Sequence, residues 1–204
     1  MLKVALTGSM AAGKSKAARN FARLGAPVFD ADAAVHALYA PGGEAVRPLL
    51  ALFPAAADAA GGVDRAKLSR MLQDDPGRLR DLEAIVHPLV EKMRAGFVRV
   101  AEKQGAPYAI LDIPLLFETG ADKAMDRIVL VTAPEHVRRA RALARPGMTE
   151  EKWRLLESRQ MPQEEKIARA DFIIDASGPM SGNAEQVRGI HDALRAGAGI
   201  RPHQ

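Results

Sequence analysis

The sequence predicts an α/β fold, with a five-stranded, doubly wound parallel sheet, a helical insertion and a helical lid. Two patterns carry this prediction. Short, continuous apolar runs alternate along the chain with helical stretches, and such runs are typical of parallel strands buried on both faces. The octet Gly8–Ser15 fits the pattern G-x-x-x-x-G-K-[ST] and directly follows the first apolar run, so a strand–loop–helix unit opens the chain.

Five apolar runs predict the five strands. They cover residues 2–7, 27–30, 108–113, 127–132 and 171–175, and the second run is the shortest. A helix is expected directly after the octet, over residues 16–24, and another follows the second strand.

Residues 41–104 contain no convincing strand pattern and predict a helical insertion. Helices are expected over 64–74, 77–86 and 88–104, with Pro88 in the first turn of the last helix, where proline is tolerated. The insertion should lie over the carboxyl ends of the strands, where open α/β sheets bind ligands. We expect it to hold a second substrate.

Residues 134–169 predict a strongly basic helical lid, divided by Pro146-Gly147. Its basic residues include Arg138, Arg139, Arg141, Arg145, Arg154, Arg159, Lys166 and Arg169. For Arg139, Arg154 and Arg169 we prefer the simpler interpretation of a solvated helix face. The chain 1–204 would then be a single unit with its core in residues 1–40, 105–133 and 170–200, and its tail from Gly197 is expected to fray.

Composition limits the possible functions. The 204 residues suffice for one well-buried domain, and 48% hydrophobic with 26% charged residues is ordinary for a globular protein. The chain has no cysteine, which excludes disulfides and thiolate metal sites. No apolar run approaches the roughly 20 residues of a membrane span, so we expect a cytoplasmic protein without a membrane partner.

The net charge of +4 suits either nucleic acid or a small polyanionic substrate. The arginines concentrate in the predicted lid, and 4% aromatic residues leave little for stacking on bases. We therefore expect no nucleic-acid partner, and a monomer or a weak homo-oligomer.

The octet predicts a phosphate-binding loop. Its tight turn directs backbone N–H groups inward, and the positive end of the next helix adds to their attraction for phosphate oxygens. Lys14 would reach the β and γ phosphates of a nucleoside triphosphate such as ATP, and the Ser15 hydroxyl would ligate Mg²⁺. The remaining residues predicted to bind the nucleotide here are Gly8, Ala11, Ala12, Gly13 and Lys16.

Acidic residues at two strand ends favour phosphoryl transfer. Asp30 and Asp32 follow the second strand, where a carboxylate could deprotonate an acceptor hydroxyl, although one of them could instead cap the next helix. We assign catalysis to Asp32 and a supporting role on the substrate side to Asp30. Asp112 ends the third strand, where P-loop proteins commonly hold Mg²⁺ or its water.

Two further segments are candidates for substrate binding. An apolar run after Asp112 is either core or a wall against the substrate; it consists of Pro114, Leu115, Leu116 and Phe117. His87 is expected to open a helix of the insertion and is the most suggestive histidine, although a lone histidine is more often structural.

Taken together, these segments resemble the dephospho-coenzyme A kinase family. The family's Leu-Thr-Gly-Gly-Ile-Gly-Ser-Gly-Lys-Ser-Thr, Asp-Ala-Asp and His-Pro motifs are similar to residues 6–16, 30–32 and 87–88. Its Asp-Ile-Pro-Leu-Leu-Phe-Glu stands unchanged at 112–118, and its final block is similar to Arg159-Gln160, Lys166 and residues 170–175.

The resemblance implies that ATP donates its γ phosphate to the ribose 3′-hydroxyl of dephospho-coenzyme A. Asp32 would be the base, and Lys14 with the lid residues Arg141 and Arg145 would stabilise charge on the transferred group. The residues that would border the two ligands are Asp175 and Ser177 at the adenine and His87 at the acceptor.

Three residues depart from the family pattern: Ala11 replaces a glycine, Lys16 a threonine and Arg138 a glutamine. Ala11 would be tolerated only with a negative or mildly strained φ. Two alternatives stay open, namely another small nucleoside or nucleotide kinase and a non-catalytic module that binds ATP or ADP. A non-catalytic module would need no base, so the presence of Asp32 argues against that alternative.

Overall fold

The computed structural model describes residues 1–178 and 180–197, and their contacts divide them into two compact units. One unit comprises Met1–Phe29 and the chain from Val100 onwards, and the other comprises Asp30–Arg99. Beyond Gly197, the tail that is expected to fray lies outside the described residues.

The described chain forms one five-stranded sheet. Its strands are β1 Leu2–Gly8, β2 Val28–Asp30, β3 Tyr108–Asp112, β4 Arg127–Thr132 and β5 Phe172–Asp175. They are arranged in the order β2-β3-β1-β4-β5, and the pairings of β1 with β3, β1 with β4 and β4 with β5 are parallel. The predicted α/β class and the five predicted strands are confirmed.

The central strand explains why the strand sequences are continuously apolar. Successive side chains of a strand point to opposite faces of the sheet. Val4 and Leu6 belong to one buried cluster, whereas Ala5 between them belongs to another, with Leu116 and Ile128. Both faces of the sheet are therefore covered, as is usual for parallel sheets.

Helices separate the strands. Within the described residues they are α1 Lys14–Arg23, α2 Ala31–Tyr39, α3 Val46–Leu52, α4 Arg65–Asp74, α5 Leu79–Lys103, α6 Glu135–Leu143, α7 Glu150–Ser158, α8 Gln163–Arg169 and α9 Met180–Arg195. Short 3₁₀ turns lie at Pro54–Ala56, Pro76–Arg78 and Ala121–Ala124. None of these helices is both long and apolar enough to cross a membrane.

The unit Asp30–Arg99 has a hydrophobic core of its own. Leu38, Leu49, Phe53 and Val86 are buried in it. The carboxylate of Asp64 accepts hydrogen bonds from the first N–H groups of α4, which begins where the sequence predicts a helix.

The prediction that one helix ends before Pro88 and another begins there is wrong. Leu79–Lys103 form one continuous helix with Pro88 inside it. A proline leaves the carbonyl four residues earlier without its helical partner, and that residue, Ala84, is exposed like Pro88 itself. Water can therefore satisfy the freed carbonyl. His87 lies exposed in mid-helix and does not open a helix.

Candidate active site

The phosphate-binding loop connects the central strand β1 to α1. A Cβ atom on Gly8 would collide with the carbonyl oxygen of Val131 on β4, so only glycine fits there. Gly13 has a φ of 107°, in the left-handed region that glycine adopts without strain, and it precedes the first residue of α1. The exposed Ser15 follows in the first turn of that helix. Its hydroxyl therefore lies close to the backbone N–H groups at the start of α1.

Ala11 has a left-handed backbone with a φ of 60°, not the negative φ that an alanine prefers. This conformation costs an L-residue about 1–2 kcal/mol. The surrounding packing offsets the cost, because Ala11 is buried in a cluster with Ala142 of α6 and Trp153 of α7. The predicted lid therefore packs directly on the loop.

Lys14 and Asp112 are brought together by the sheet. Asp112 ends β3 beside Leu6 of β1, and its carboxylate forms an ion pair with the Lys14 ammonium. The two side chains are only 8% and 16% exposed. Lys14, which is predicted to bind phosphate, and Asp112, which is predicted to bind Mg²⁺, thus lie side by side at the end of β3.

The segment after β5 borders the loop. The Arg141 guanidinium donates to the carbonyl oxygen of Ala176 at 2.8 Å, and Ala176 shares a buried cluster with Ala12 of the loop. The Asp175 carboxylate accepts from the Ser177 N–H at 2.9 Å. Hydrogen bonds from Ser177 hold the pKa of Asp175 below its usual value.

Asp30 and Asp32 differ in their hydrogen bonds. The Asp30 carboxylate caps α2 by accepting the Ala33 N–H at 3.0 Å. Asp32 lies in the first turn of α2 with its side chain exposed. Both residues are exposed, and of the two only Asp30 makes the cap hydrogen bond.

The residues after Asp112 divide between core and surface. Leu116 and Phe117 are buried in the cluster on one face of the sheet, which fits the core interpretation. Leu115 is 44% exposed. The Pro114 carbonyl oxygen accepts from the Thr7 hydroxyl at 3.3 Å. Of residues 114–117, Pro114 and Leu115 are the more exposed.

A comparison with known proteins identifies the family. A family model described as dephospho-CoA kinase matches residues 2–181. The chain belongs to the dephospho-CoA kinase family.

Similar proteins agree with this membership. The dephospho-CoA kinase of Rhizobium meliloti (strain 1021) is 51% identical over 197 residues, which are 97% of this chain and 100% of the relative. That of Brucella melitensis is 46% identical over 194 residues, or 95% and 96% of the two chains. The crystal structure of TT1252 from Thermus thermophilus matches with a TM-score of 0.79 at 35% identity, covering 94% of this chain and 96% of that one. The resemblance seen in the sequence is confirmed.

Arg138, which departs from the dephospho-CoA kinase pattern, is buried in the predicted lid. Its guanidinium makes two hydrogen bonds to the Glu157 carboxylate, at 2.9 and 2.6 Å, and lies over the Trp153 ring. It joins α6 to α7.

The other predicted lid arginines have different surroundings. Arg139 and Arg154 both pair with Glu150 on the helix surface, which agrees with the prediction of a solvated helix face. Arg169 instead lies over the Phe117 ring. The side chain of Arg145 is exposed.

Sequence reasoning missed three contacts that fix α8 and the segment between α7 and α8. The Gln160 side-chain oxygen accepts the N–H of Met10, inside the phosphate-binding loop, at 3.1 Å. Glu118 accepts the N–H of Met161 at 2.8 Å and forms an ion pair with the buried Lys166 at 3.1 Å. Burial alone would raise the pKa of Glu118, but these partners outweigh it and lower the pKa. The similarity of Glu118, Gln160 and Lys166 to dephospho-CoA kinase motifs was the available signal.

Proposed function

We propose that this chain transfers the γ phosphoryl group of ATP to the ribose 3′-hydroxyl of dephospho-coenzyme A, giving coenzyme A and ADP. The observation that carries the proposal is the family match over residues 2–181. The donor side of the geometry supports it, because the loop, Lys14, Asp112 and the segment 175–177 lie in one compact unit.

The loop and Lys14 form the proposed donor site. Backbone N–H groups of the loop, other than the Met10 N–H that donates to Gln160, would bind the phosphate oxygens, and Lys14 would stabilise the charge that develops on the transferred group. Asp112 holds the Lys14 ammonium at the loop, so the cation is positioned before ATP binds. Lys16 would add a secondary phosphate contact.

The residues beside the loop also fit a Mg²⁺ ion. It prefers oxygen ligands and usually takes only one or two carboxylates besides phosphates and water. Ser15 and Asp112 supply a hydroxyl and a carboxylate, and the described residues contain no cluster of three or more acidic or histidine ligands. When bound, the ion would neutralise phosphate charge. Ser15 would hold it directly, and Asp112 directly or through water.

Asp32 is the proposed base for the acceptor. Its exposed carboxylate could take the proton of the 3′-hydroxyl as that oxygen attacks the γ phosphorus in line. Asp30 supports it by capping α2, which fixes the first turn where Asp32 lies. We propose that residues 41–104, with His87, help to bind the acceptor, and that Pro114 and Leu115 touch its apolar part.

The segment 134–169 is the proposed lid. Arg141 and Arg145 would stabilise the transferred group when the lid closes and excludes water. Asp175 and Ser177 would border the adenine, and the Arg141 hydrogen bond to Ala176 links these two regions already. Because ATP is the proposed phosphate donor, we also propose a cytoplasmic location.

An assay of phosphoryl transfer tests the proposal. The chain is incubated with ATP, Mg²⁺ and dephospho-coenzyme A, ADP release is coupled to an optical readout, and ³¹P NMR locates the new phosphate. The expected product carries it on the 3′-oxygen. AMP and uridine serve as competing acceptors. Faster transfer to either of them, or a phosphate at another position, would contradict the proposal in favour of a nucleotide or nucleoside kinase.

A further inference from the structure

We propose that Gln160 is a positioning residue for the phosphate-binding loop, and that it holds the loop in the shape that receives the β and γ phosphates. Trp153 assists it by packing against the same loop. The inference rests on the proposed function only in naming ATP as the ligand.

The central contact joins two segments that are far apart in the sequence. The Gln160 side-chain oxygen accepts the Met10 N–H at 3.1 Å. Met10 is the third residue of the octet, within the segment whose backbone would surround the phosphates. A hydrogen bond to this N–H restrains the orientation of the adjoining peptide units, so a side chain of the lid segment sets part of the loop geometry.

The neighbours of Gln160 make it a fixed acceptor. The next residue, Met161, donates its N–H to Glu118 at 2.8 Å, and Glu118 pairs with the fully buried Lys166. On the other side, the Gln160 N–H donates to the Glu157 carbonyl oxygen at 3.0 Å. The side chain therefore extends from an anchored backbone.

The loop of this chain needs such support. Ala11, next to Met10, adopts a φ of 60° that a glycine would reach without strain but an alanine does not favour. Its methyl group is buried with Ala142 and Trp153. The hydrogen bond at Met10 and the apolar contact at Ala11 thus act on adjacent residues and hold a backbone that the local sequence disfavours. Such preorganisation lowers the entropy that the loop loses when a ligand binds.

Gln160→Met tests the hydrogen bond, because methionine has a similar length but offers no comparable acceptor. Gln163→Met is the matched control, because it is the same change three residues away, in the first turn of α8. The Gln163 side-chain oxygen has no hydrogen-bond partner among the described residues. ATP and ADP affinities are measured by calorimetry without acceptor, and KM for each substrate is measured in the transfer assay. Hydrogen exchange of the peptide that contains Met10 gives a readout independent of activity.

For Gln160→Met we expect ATP and ADP to bind about fivefold more weakly, the effect of one lost hydrogen bond. KM for ATP should rise by the same factor, KM for dephospho-coenzyme A should change by less than about twofold, and the Met10 peptide should exchange faster. Gln163→Met should match the parent chain. Unchanged nucleotide affinity, or a parallel rise of both KM values together with a lower melting temperature, would overturn the proposal. If the parent chain binds ATP but does not phosphorylate dephospho-coenzyme A, the proposed acceptor is wrong while the calorimetric arm still decides the role of Gln160.

Discussion

The buried ion pair between Glu118 and Lys166 predicts that its two partners are unequally costly to remove. The Lys166 side chain is 1% exposed, that of Glu118 is 16% exposed, and the charged atoms lie 3.1 Å apart. Within the described residues the Lys166 ammonium has no partner besides the Glu118 carboxylate, so the charge of Glu118 is its main compensation. Glu118 also has the Met161 N–H and some access to water.

Two single substitutions separate the partners. Glu118→Gln keeps an acceptor for the Met161 N–H but leaves a buried ammonium without a counter-charge, and we expect it to lower the free energy of unfolding by about 3 kcal/mol. Lys166→Met leaves a carboxylate that is hydrogen-bonded and partly hydrated, so we expect a loss of about 1 kcal/mol. The double variant Glu118→Gln with Lys166→Met should lose less free energy of unfolding than the two single losses added together, because it leaves no buried charge without a partner.

Urea unfolding at pH 7, followed by circular dichroism, measures these differences, and an unchanged m-value supports their assignment to stability. The exposed pair of Arg139 and Glu150 provides the control: Glu150→Gln should shift the midpoint far less than Glu118→Gln. Equal losses for Glu118→Gln and Lys166→Met, or a larger loss for Lys166→Met, would refute the reasoning from burial.

The remaining predictions concern catalysis, capping and pH. Asp32→Asn should lower kcat at least about 100-fold while calorimetry finds ATP affinity unchanged; full turnover would exclude Asp32 as the base. Asp30→Ala should instead lower the unfolding free energy by about 1 kcal/mol, measured in urea, through loss of the α2 cap. Arg141→Ala and Arg145→Ala should each reduce kcat about tenfold or more, and intact turnover in both would reject the lid assignment. Because the folded-state pKa of Glu118 lies below the value of 4.5 expected when unfolded, its stabilisation is present above that pH and is lost as pH falls below it. The urea midpoint should therefore drop more steeply below pH 4.5 in the parent chain than in Glu118→Gln.

Local patterns were sufficient for the strands and for the phosphate-binding loop. A buried parallel strand needs only a short apolar run, and the loop needs glycines, a lysine and a serine at fixed spacing within eight consecutive residues. Asp112 could also be assigned to the site, because a strand end in a parallel sheet has a known edge. Its ion pair with Lys14 follows from that placement.

The helix through Pro88 shows where local rules fail. Proline favours a helix start, but its cost inside a helix depends on whether the freed carbonyl reaches water. That depends on which face of α5 packs against the core of its unit, and Ala84 and Pro88 lie on an exposed face. Likewise, only the helix geometry decided that Asp30 and not Asp32 is the cap.

By itself, the sequence determined the fold class, the family and the identity of the loop residues, since these follow from short segments whose meaning does not depend on distant partners. The tertiary structure alone decided the left-handed backbone of Ala11, the burial of Leu116 and Phe117, and the contact of Gln160 with Met10. The physical reason is separation along the chain. Met10 and Gln160 are 150 residues apart, so packing, and not any local preference, brings them within a hydrogen bond.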